Sequence, residues 1–92
     1  MITINVFLEI DSPKKEEYLE FVNNLVKSSQ KEKGCLFYGH FSNVEDSTQY
    51  VIVENWENQK ALDLHNKTEH LKSFVQNINQ FLIEDCKISV SF

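Results

Sequence analysis

The sequence predicts a single α+β domain whose four strands and two helical regions follow one another in the order βαββαβ. Four segments have the pattern or the composition of a strand, and the first and the last of them alternate apolar and polar residues. After the first and the third of these segments, apolar residues recur at three- and four-residue steps, which is the pattern of an amphipathic helix. With only two Gly and one Pro there is no linker, so residues 1–92 are predicted to form one domain.

The first strand leads into the first helix through a short starting segment. Residues 2–10, ITINVFLEI, have an apolar side chain at every even position and are predicted as a strand. Ser12 is the expected N-terminal cap and Pro13 the first residue of the following helix, because a hydroxyl accepts a free amide and proline suits that position. The apolar stripe predicts a helix that runs to about Lys33, with Gly34 as its C-terminal cap.

A hairpin is predicted at the centre of the sheet. The segments 35–42, CLFYGHFS, and 49–56, QYVIVENW, have the composition of strands. The residues between them, 43–48, are mostly polar and are predicted as the turn.

The second half of the chain predicts a helical region and a last strand. From Asn58 a short helical piece is expected, and after Asn66 a longer one that Thr68 caps and that continues to Leu82. Residues 86–92, CKISVSF, alternate again and are predicted as the fourth strand.

This element order is that of a ferredoxin-like fold. Right-handed crossovers place both helical regions on one face of a four-stranded antiparallel sheet. The other face also carries apolar side chains, among them Phe7, Val51 and Val53. A second copy of the chain is the simplest cover for that face, so we expect a homodimer.

Composition excludes several classes of function. The chain has nine Lys, no Arg and a formal net charge of −5, so it lacks the basic surface that a nucleic-acid partner requires. The first residues do not resemble a signal peptide and no apolar run is long enough to span a membrane, so we expect a cytoplasmic protein with no membrane partner. Cys35 and Cys86 are expected to be free thiols, since their spacing is typical of neither a redox pair nor a zinc site.

A set of short motifs resembles one known family. They are Glu54-x-Trp56, Ala61-Leu62-x-x-His65 and Thr68-x-His70-Leu71, preceded by Gly34-Cys35-Leu36-x-Tyr38. In order and spacing they are similar to the antibiotic biosynthesis monooxygenase (ABM) domain family, which includes small quinol monooxygenases. The resemblance implies a dimeric α/β barrel, built by pairing two ferredoxin-like sheets, with a pocket between the sheet and helices of each chain.

The resemblance also implies a chemistry. It predicts a monooxygenase that uses molecular oxygen on a quinol or a related phenolic or polycyclic aromatic ring, with no metal, flavin or haem. A deprotonated hydroxyaromatic can itself pass an electron to oxygen, so such a pocket must bind an apolar ring, accept a proton and hold the anion.

His65 is the predicted catalytic residue. It lies on the same side of its helix as Ala61 and Leu62, so its ring should point towards the sheet, and an ordinary pKa near 6.5 suits a proton acceptor. The alternative is a buried histidine that hydrogen-bonds a strand residue and fixes the helix. For His70, in the first turn of the next helical piece, we expect a cap or a place at the dimer edge. A helical pair of histidines five residues apart does not share a face as a pair four apart would. No metal site is predicted.

Five further residues are predicted to line the substrate pocket: Asn5, Tyr38, His40, Glu54 and Trp56. Trp56 could form an aromatic wall, and Glu54 could orient His65 or pair with a Lys. Tyr38 and His40 share a strand face and could donate a proton to a substrate oxygen, or could belong to the dimer interface.

Asn5 is polar within an apolar strand and needs a partner, which could be substrate, protein or water. It resembles an Asn of the haem-degrading branch of this fold. That branch also needs a haem-ligating His in the second long helix, where this chain has apolar residues such as Leu71 and Phe74.

Two other classes of function share the scaffold. One is a cofactor-free isomerase or signal-degrading enzyme that enolises a small carbonyl compound with the same base and consumes no oxygen. The other is a non-catalytic module that binds a small molecule in a stress response.

Overall fold

The computed structural model describes all 92 residues and has the ferredoxin-like α+β fold. Its elements are β1 (Ile2–Glu9), α1 (Lys15–Gln30), β2 (Cys35–Ser42), β3 (Gln49–Trp56), α2 (Gln59–His65), α3 (Glu69–Asn77) and β4 (Lys87–Ser91). The sheet order is β2-β3-β1-β4 and every pair of neighbouring strands is antiparallel. The predicted fold class and the number of strands are therefore confirmed.

The ends of α1 differ from the prediction. Ser12 and Pro13 lie in a 3-10 turn that the Lys14 amide closes onto the Asp11 carbonyl, and Ser12 makes no side-chain capping bond. At the other end the helix stops at Gln30, because the next two amides bond carbonyls only three residues back. The predicted cap at Ser12 and the predicted end near Lys33 are thus wrong by about one turn of helix at each end.

The second helical region is also shorter than predicted. Asn58 caps α2 and Thr68 caps α3, each accepting a backbone amide with its side chain, as the sequence indicates for Thr68. However, α3 ends at Asn77, and the residues that follow, Ile78–Phe81, form a 3-10 turn. With these bounds, none of the helices is long and apolar enough to cross a membrane.

The core fills the space between the helices and one face of the sheet. Even-numbered residues of β1 and β3 point to this side, as strand alternation requires. They meet apolar residues of α1, α2, α3 and the 3-10 turn after α3. The largest side chains with almost no exposure are Trp56, Tyr18, Ile10, Ile52 and His65. A histidine in this set is unusual, because histidine is less often fully buried than apolar residues and its ring nitrogens then need hydrogen-bond partners within the protein.

The other face of the sheet has no cover within the chain. Phe7, Phe37 and Phe41 are each more than two-fifths exposed on it, and the Phe37 and Phe41 rings stack with their centroids 6.3 Å apart. Val51 and Val53 of the central strand β3 are half-buried between them. Apolar side chains therefore occupy both faces of the sheet, as the sequence indicates.

Candidate active site

His65 is the last residue of α2 and lies under the sheet with 1% of its surface exposed. The Asn58 cap fixes the start of the short helix, and Ala61 and Leu62 pack into the core beside it. The His65 ring lies 4.4 Å from the Trp56 ring and 5.8 Å from the Tyr38 ring, measured between centroids. The sequence prediction that this histidine points towards the sheet is confirmed.

Glu32 holds the His65 ring in place. Its Oε2 atom lies 2.6 Å from Nδ1 of His65, a short charge-assisted contact between side chains 33 residues apart in the chain. Burial lowers the pKa of His65, and Glu32 opposes that shift by stabilising the protonated ring. Glu32 was not among the predicted site residues. It lies in the turn after α1, where a charged residue ordinarily faces water.

His70 contacts the same carboxylate oxygen. Its Nε2 atom lies 2.7 Å from Oε2 of Glu32, and the two imidazole rings are 6.0 Å apart. His65 and His70 do not share a helix face, as expected, but the chain turns at 66–68 and so brings the two rings from different helices to the same carboxylate, which the sequence does not predict. The His70 side chain is 18% exposed, so this cluster extends from the core to the surface.

Glu54 and Trp56 complete the buried side of the cluster. The Trp56 Nε1–H donates to Oε1 of Glu54 at 2.9 Å, and that oxygen lies 3.8 Å from Nε2 of His65. Nε2 of His65 is itself buried and has no hydrogen-bond partner. Burial raises the pKa of Glu54 to about 7, which the Trp56 bond partly offsets. Glu54 thus faces the nitrogen of His65 that has no partner, while the hydrogen bond that orients the ring is the one that Glu32 accepts.

Tyr38 and His40 share a strand face but belong to different groups of side chains. Tyr38 packs against Trp56 and His65, and its carbonyl accepts from the Gln30 side chain. Nε2 of His40 lies 2.7 Å from the Tyr18 hydroxyl. The His40 ring also stacks on Tyr50 at 4.9 Å. Burial lowers the pKa of His40 to about 4, so this ring is neutral near pH 7.

Asn5 is not part of this cluster. It pairs with Val53 and Ser89 in the sheet, and alternation places it on the open face, on the opposite side from Ile4 and Val6. The predicted pocket residues therefore separate into three places. Tyr38, Glu54 and Trp56 lie with His65, while His40 lies beside Tyr18 and Asn5 lies across the sheet. Their roles in binding a substrate stay predictions.

The main opening near the cluster is a groove of about 660 Å³ between α1 and the edge strand β2. Leu19 and Val26 of the helix line one side, and Tyr38, His40 and Phe41 line the other. Tyr38 therefore has the groove on one side and His65 on the other. The space immediately around His65 is filled by side chains.

Together, Glu32, His65 and His70 also carry a set of donor atoms suited to a metal ion. One ligand atom from each, two imidazole nitrogens and a carboxylate oxygen, lies within 4.8 Å of the others. The sequence does not indicate this group, because Glu32 is distant from both histidines along the chain.

The fold and this histidine–carboxylate cluster define a small ferredoxin-like protein with a candidate acid–base site. A family model described as antibiotic biosynthesis monooxygenase matches residues 1–77. The chain belongs to that family, as its motifs indicate.

Known relatives and solved structures agree with this assignment. "Putative monooxygenase YcnE" of Bacillus subtilis (strain 168) is 30% identical over 82 residues, which are 89% of this chain and 86% of that protein. A solved structure of an antibiotic biosynthesis monooxygenase has a TM-score of 0.92 at 27% identity, covering 100% of this chain and 97% of that one. A conserved protein from Methanosarcina mazei Go1, at 22% identity and a TM-score of 0.93, covers 98% and 89% of the two chains and shows the fold alone.

Proposed function

We propose that this protein is a cofactor-independent monooxygenase that acts on a quinol or a related phenolic ring, with His65 as the base. The observation that carries the proposal is the Nε2 atom of His65, which is buried and has no hydrogen-bond partner, in a ring that packs against Tyr38 and Trp56. A buried nitrogen without a partner is costly, which favours a role for it in binding or chemistry. Family membership and the name of the Bacillus relative support an oxidoreductase.

Glu32 assigns the two nitrogens of His65 their roles. A carboxylate accepts hydrogen bonds, so the neutral ring carries its proton on Nδ1 and donates it to Glu32. The lone pair then lies on Nε2, the nitrogen that has no partner. When Nε2 takes a proton, the nearby carboxylates of Glu32 and Glu54 stabilise the imidazolium. In this proposal Glu32 is a positioning residue.

The chemistry balances without a further reductant. Nε2 takes the hydroxyl proton of the substrate, and the resulting anion passes one electron to oxygen to give superoxide and an organic radical. These combine to form a carbon–oxygen bond, and the peroxide takes the proton back from His65. The ring carbon that bears the peroxide then loses its hydrogen as a proton while the O–O bond breaks, so that one oxygen atom stays on the ring as a quinone carbonyl and the other leaves as hydroxide, which takes up that proton to give water. The substrate supplies all four electrons that reduce the oxygen molecule.

We place the substrate ring in the groove between α1 and β2. Six of the 11 residues that line the groove are hydrophobic, and the groove is large enough for a polycyclic ring. Tyr38 separates it from His65, with ring centroids 5.8 Å apart, so the substrate hydroxyl reaches Nε2 when the Tyr38 side chain moves aside. His40 lines the same groove from the next inward-facing position of β2.

We also propose that a second copy of the chain covers the open face of the sheet, as the apolar face and the family resemblance lead us to expect. Phe7, Phe37 and Phe41 are exposed there around the half-buried Val51 and Val53, and such a patch is normally buried by a partner. Sedimentation velocity should give twice the mass of one chain. Phe41→Lys, which puts a charge in the patch, should shift the protein to the mass of one chain. A single-chain mass for the unmodified protein would contradict the homodimer.

Oxygen uptake tests the function. Purified protein stripped of metal with a chelator is mixed with a panel of naphthohydroquinones and anthrone-like phenols in an oxygen-electrode cell. We expect uptake above a no-protein blank for at least one compound, with one oxygen molecule consumed per substrate. Mass spectrometry under ¹⁸O₂ should show one labelled oxygen atom in the product. These compounds react slowly with oxygen alone, so the blank is subtracted at every concentration.

The same panel separates the other functions. Uptake equal to the blank with every compound would overturn the monooxygenase proposal. An isomerase would convert a small carbonyl compound with no oxygen consumed, and a binding module would change tryptophan fluorescence with no product. Trp56 is the single tryptophan of the chain and lies next to His65, so its emission reports binding near the cluster.

A further inference from the structure

The cluster of Glu32, His65 and His70 brings three donor atoms together from three separate parts of the chain. Glu32 follows α1, His65 ends α2, and His70 is the second residue of α3. Their ligand atoms all lie within 4.8 Å of one another, and Oε2 of Glu32 lies between the two imidazole nitrogens at 2.6 and 2.7 Å. Chemistry at Nε2 of His65 explains one of these contacts, but it leaves the contact between Glu32 and His70 unexplained.

Two imidazoles and one carboxylate are a donor set that binds Zn²⁺ and similar divalent ions. Zinc–ligand bonds of about 2.0–2.2 Å place the ligand atoms of a tetrahedral site roughly 3.3 Å apart. An ion here therefore requires the carboxylate to withdraw slightly and the nitrogens to approach. The side chains of Glu32 and His70 are 14% and 18% exposed, so they have room to make this adjustment while His65 stays in place.

Glu54 supplies the outer partner that such a site needs. A metal-bound histidine normally donates the N–H of its other nitrogen to a carboxylate or carbonyl. If an ion takes the lone pair of Nδ1, the proton of the His65 ring moves to Nε2, which lies 3.8 Å from Oε1 of Glu54. The buried nitrogen that has no partner in the ion-free protein then has an acceptor. Trp56 donates to the same oxygen and holds it towards His65.

We propose that Glu32, His65 and His70 form a binding site for a divalent transition-metal ion of the zinc class, with a fourth position open to water. The ion would bind Nδ1 of His65 and convert Nε2 from a proton acceptor into a donor. If the proposed function holds, the bound ion is therefore an inhibitor. The binding itself does not depend on that function.

Isothermal titration of the full-length protein with zinc chloride tests the site. We expect one ion per chain in the unmodified protein, and affinity at least about tenfold lower in Glu32→Gln and in His70→Gln. Glu69→Gln is the matched control, since Glu69 is exposed, adjacent to His70 and outside the cluster. It should bind zinc as the unmodified protein does. Thermal unfolding of each variant verifies that it is folded before titration.

Cobalt provides a second readout that reports the ligands themselves. Co²⁺ in a four-coordinate site absorbs visible light far more strongly than hexaaqua Co²⁺, so the unmodified protein should develop this band and the two cluster variants should lack it. No binding by the unmodified protein, or equal zinc affinity in all four proteins, would overturn the proposal. Both measurements use no substrate, so they can fail while oxygen uptake succeeds, and the reverse also holds.

Discussion

Replacement of His65 by alanine is expected to lower oxygen uptake to the level of the no-protein blank, a loss of at least about 100-fold at saturating substrate. The variant removes the buried nitrogen of a ring that packs against Tyr38 and Trp56, and neither of these two side chains is an equivalent base. Glu54 is the nearest carboxylate, but its Oε1 atom already accepts the Trp56 Nε1–H and lies 3.8 Å from the nitrogen that the variant removes. Steady-state uptake with the best compound of the panel measures the loss.

His65→Gln separates the loss of the base from the loss of packing. A glutamine amide can still donate to Glu32 and fills a similar volume, but it has no nitrogen that accepts a proton. It should therefore stay folded and be as inactive as His65→Ala. Lys60→Ala, an exposed substitution in the same helix, should keep full activity. Uptake by folded His65→Gln within about threefold of the unmodified protein would exclude His65 as the base.

The strands were predictable from the sequence because the first and the last alternate apolar and polar residues and the two of the hairpin are rich in β-branched and aromatic residues. The residues of β1 follow that alternation with Phe7 as the exception, whereas in β3 residues 50–53 are all apolar and only their burial alternates. The end of α1 was less predictable, because Lys31 and Glu32 continue the polar pattern that an exposed helix face has. The helix ends instead where the chain must turn for Gly34 to enter β2.

The candidate site was only partly predictable, because its geometry depends on tertiary contacts. Glu54 and Trp56 lie two residues apart on one strand, so the sequence itself places them together. Glu32 had no local signal, since its partners are 33 and 38 residues away. The position of Asn5 could have been inferred, because it shares a strand face with Phe7 and not with the apolar residues that meet the helices.

Gly34→Ala is expected to lower the free energy of unfolding by about 2–5 kcal/mol. Gly34 has a φ of +86°, in the left-handed region, where an alanine is strained. A Cβ at this position would also lie 2.5 Å from Cβ of Ala61, closer than two carbon atoms can approach. Chemical denaturation followed by circular dichroism measures the change.

Gly39→Ala is the matched control for that substitution. Its added Cβ would meet the ring atoms of Phe37 and Phe41 at 2.8–2.9 Å, but within one chain these rings are exposed and can rotate away, so both glycine variants are compared at a protein concentration at which sedimentation shows single chains. Its backbone is not in the left-handed region. We therefore expect a change of less than about 1 kcal/mol. Equal losses in the two glycine variants would show that the Gly34 conformation and its contact with Ala61 have no special cost.

Ala61→Gly in the Gly34→Ala background separates the two causes. It removes the methyl group that the new Cβ meets but leaves the strained backbone unchanged, so the double variant should recover part of the loss, and the two substitutions should not add. The contact matters for the site because Gly34 lies two residues after Glu32 and its carbonyl accepts the Glu57 amide just before α2. If the new methyl group pushes α2 away, Glu32 and His65 separate as well. Zinc affinity and oxygen uptake should then fall in Gly34→Ala even where the protein remains folded, and recover together in the double variant.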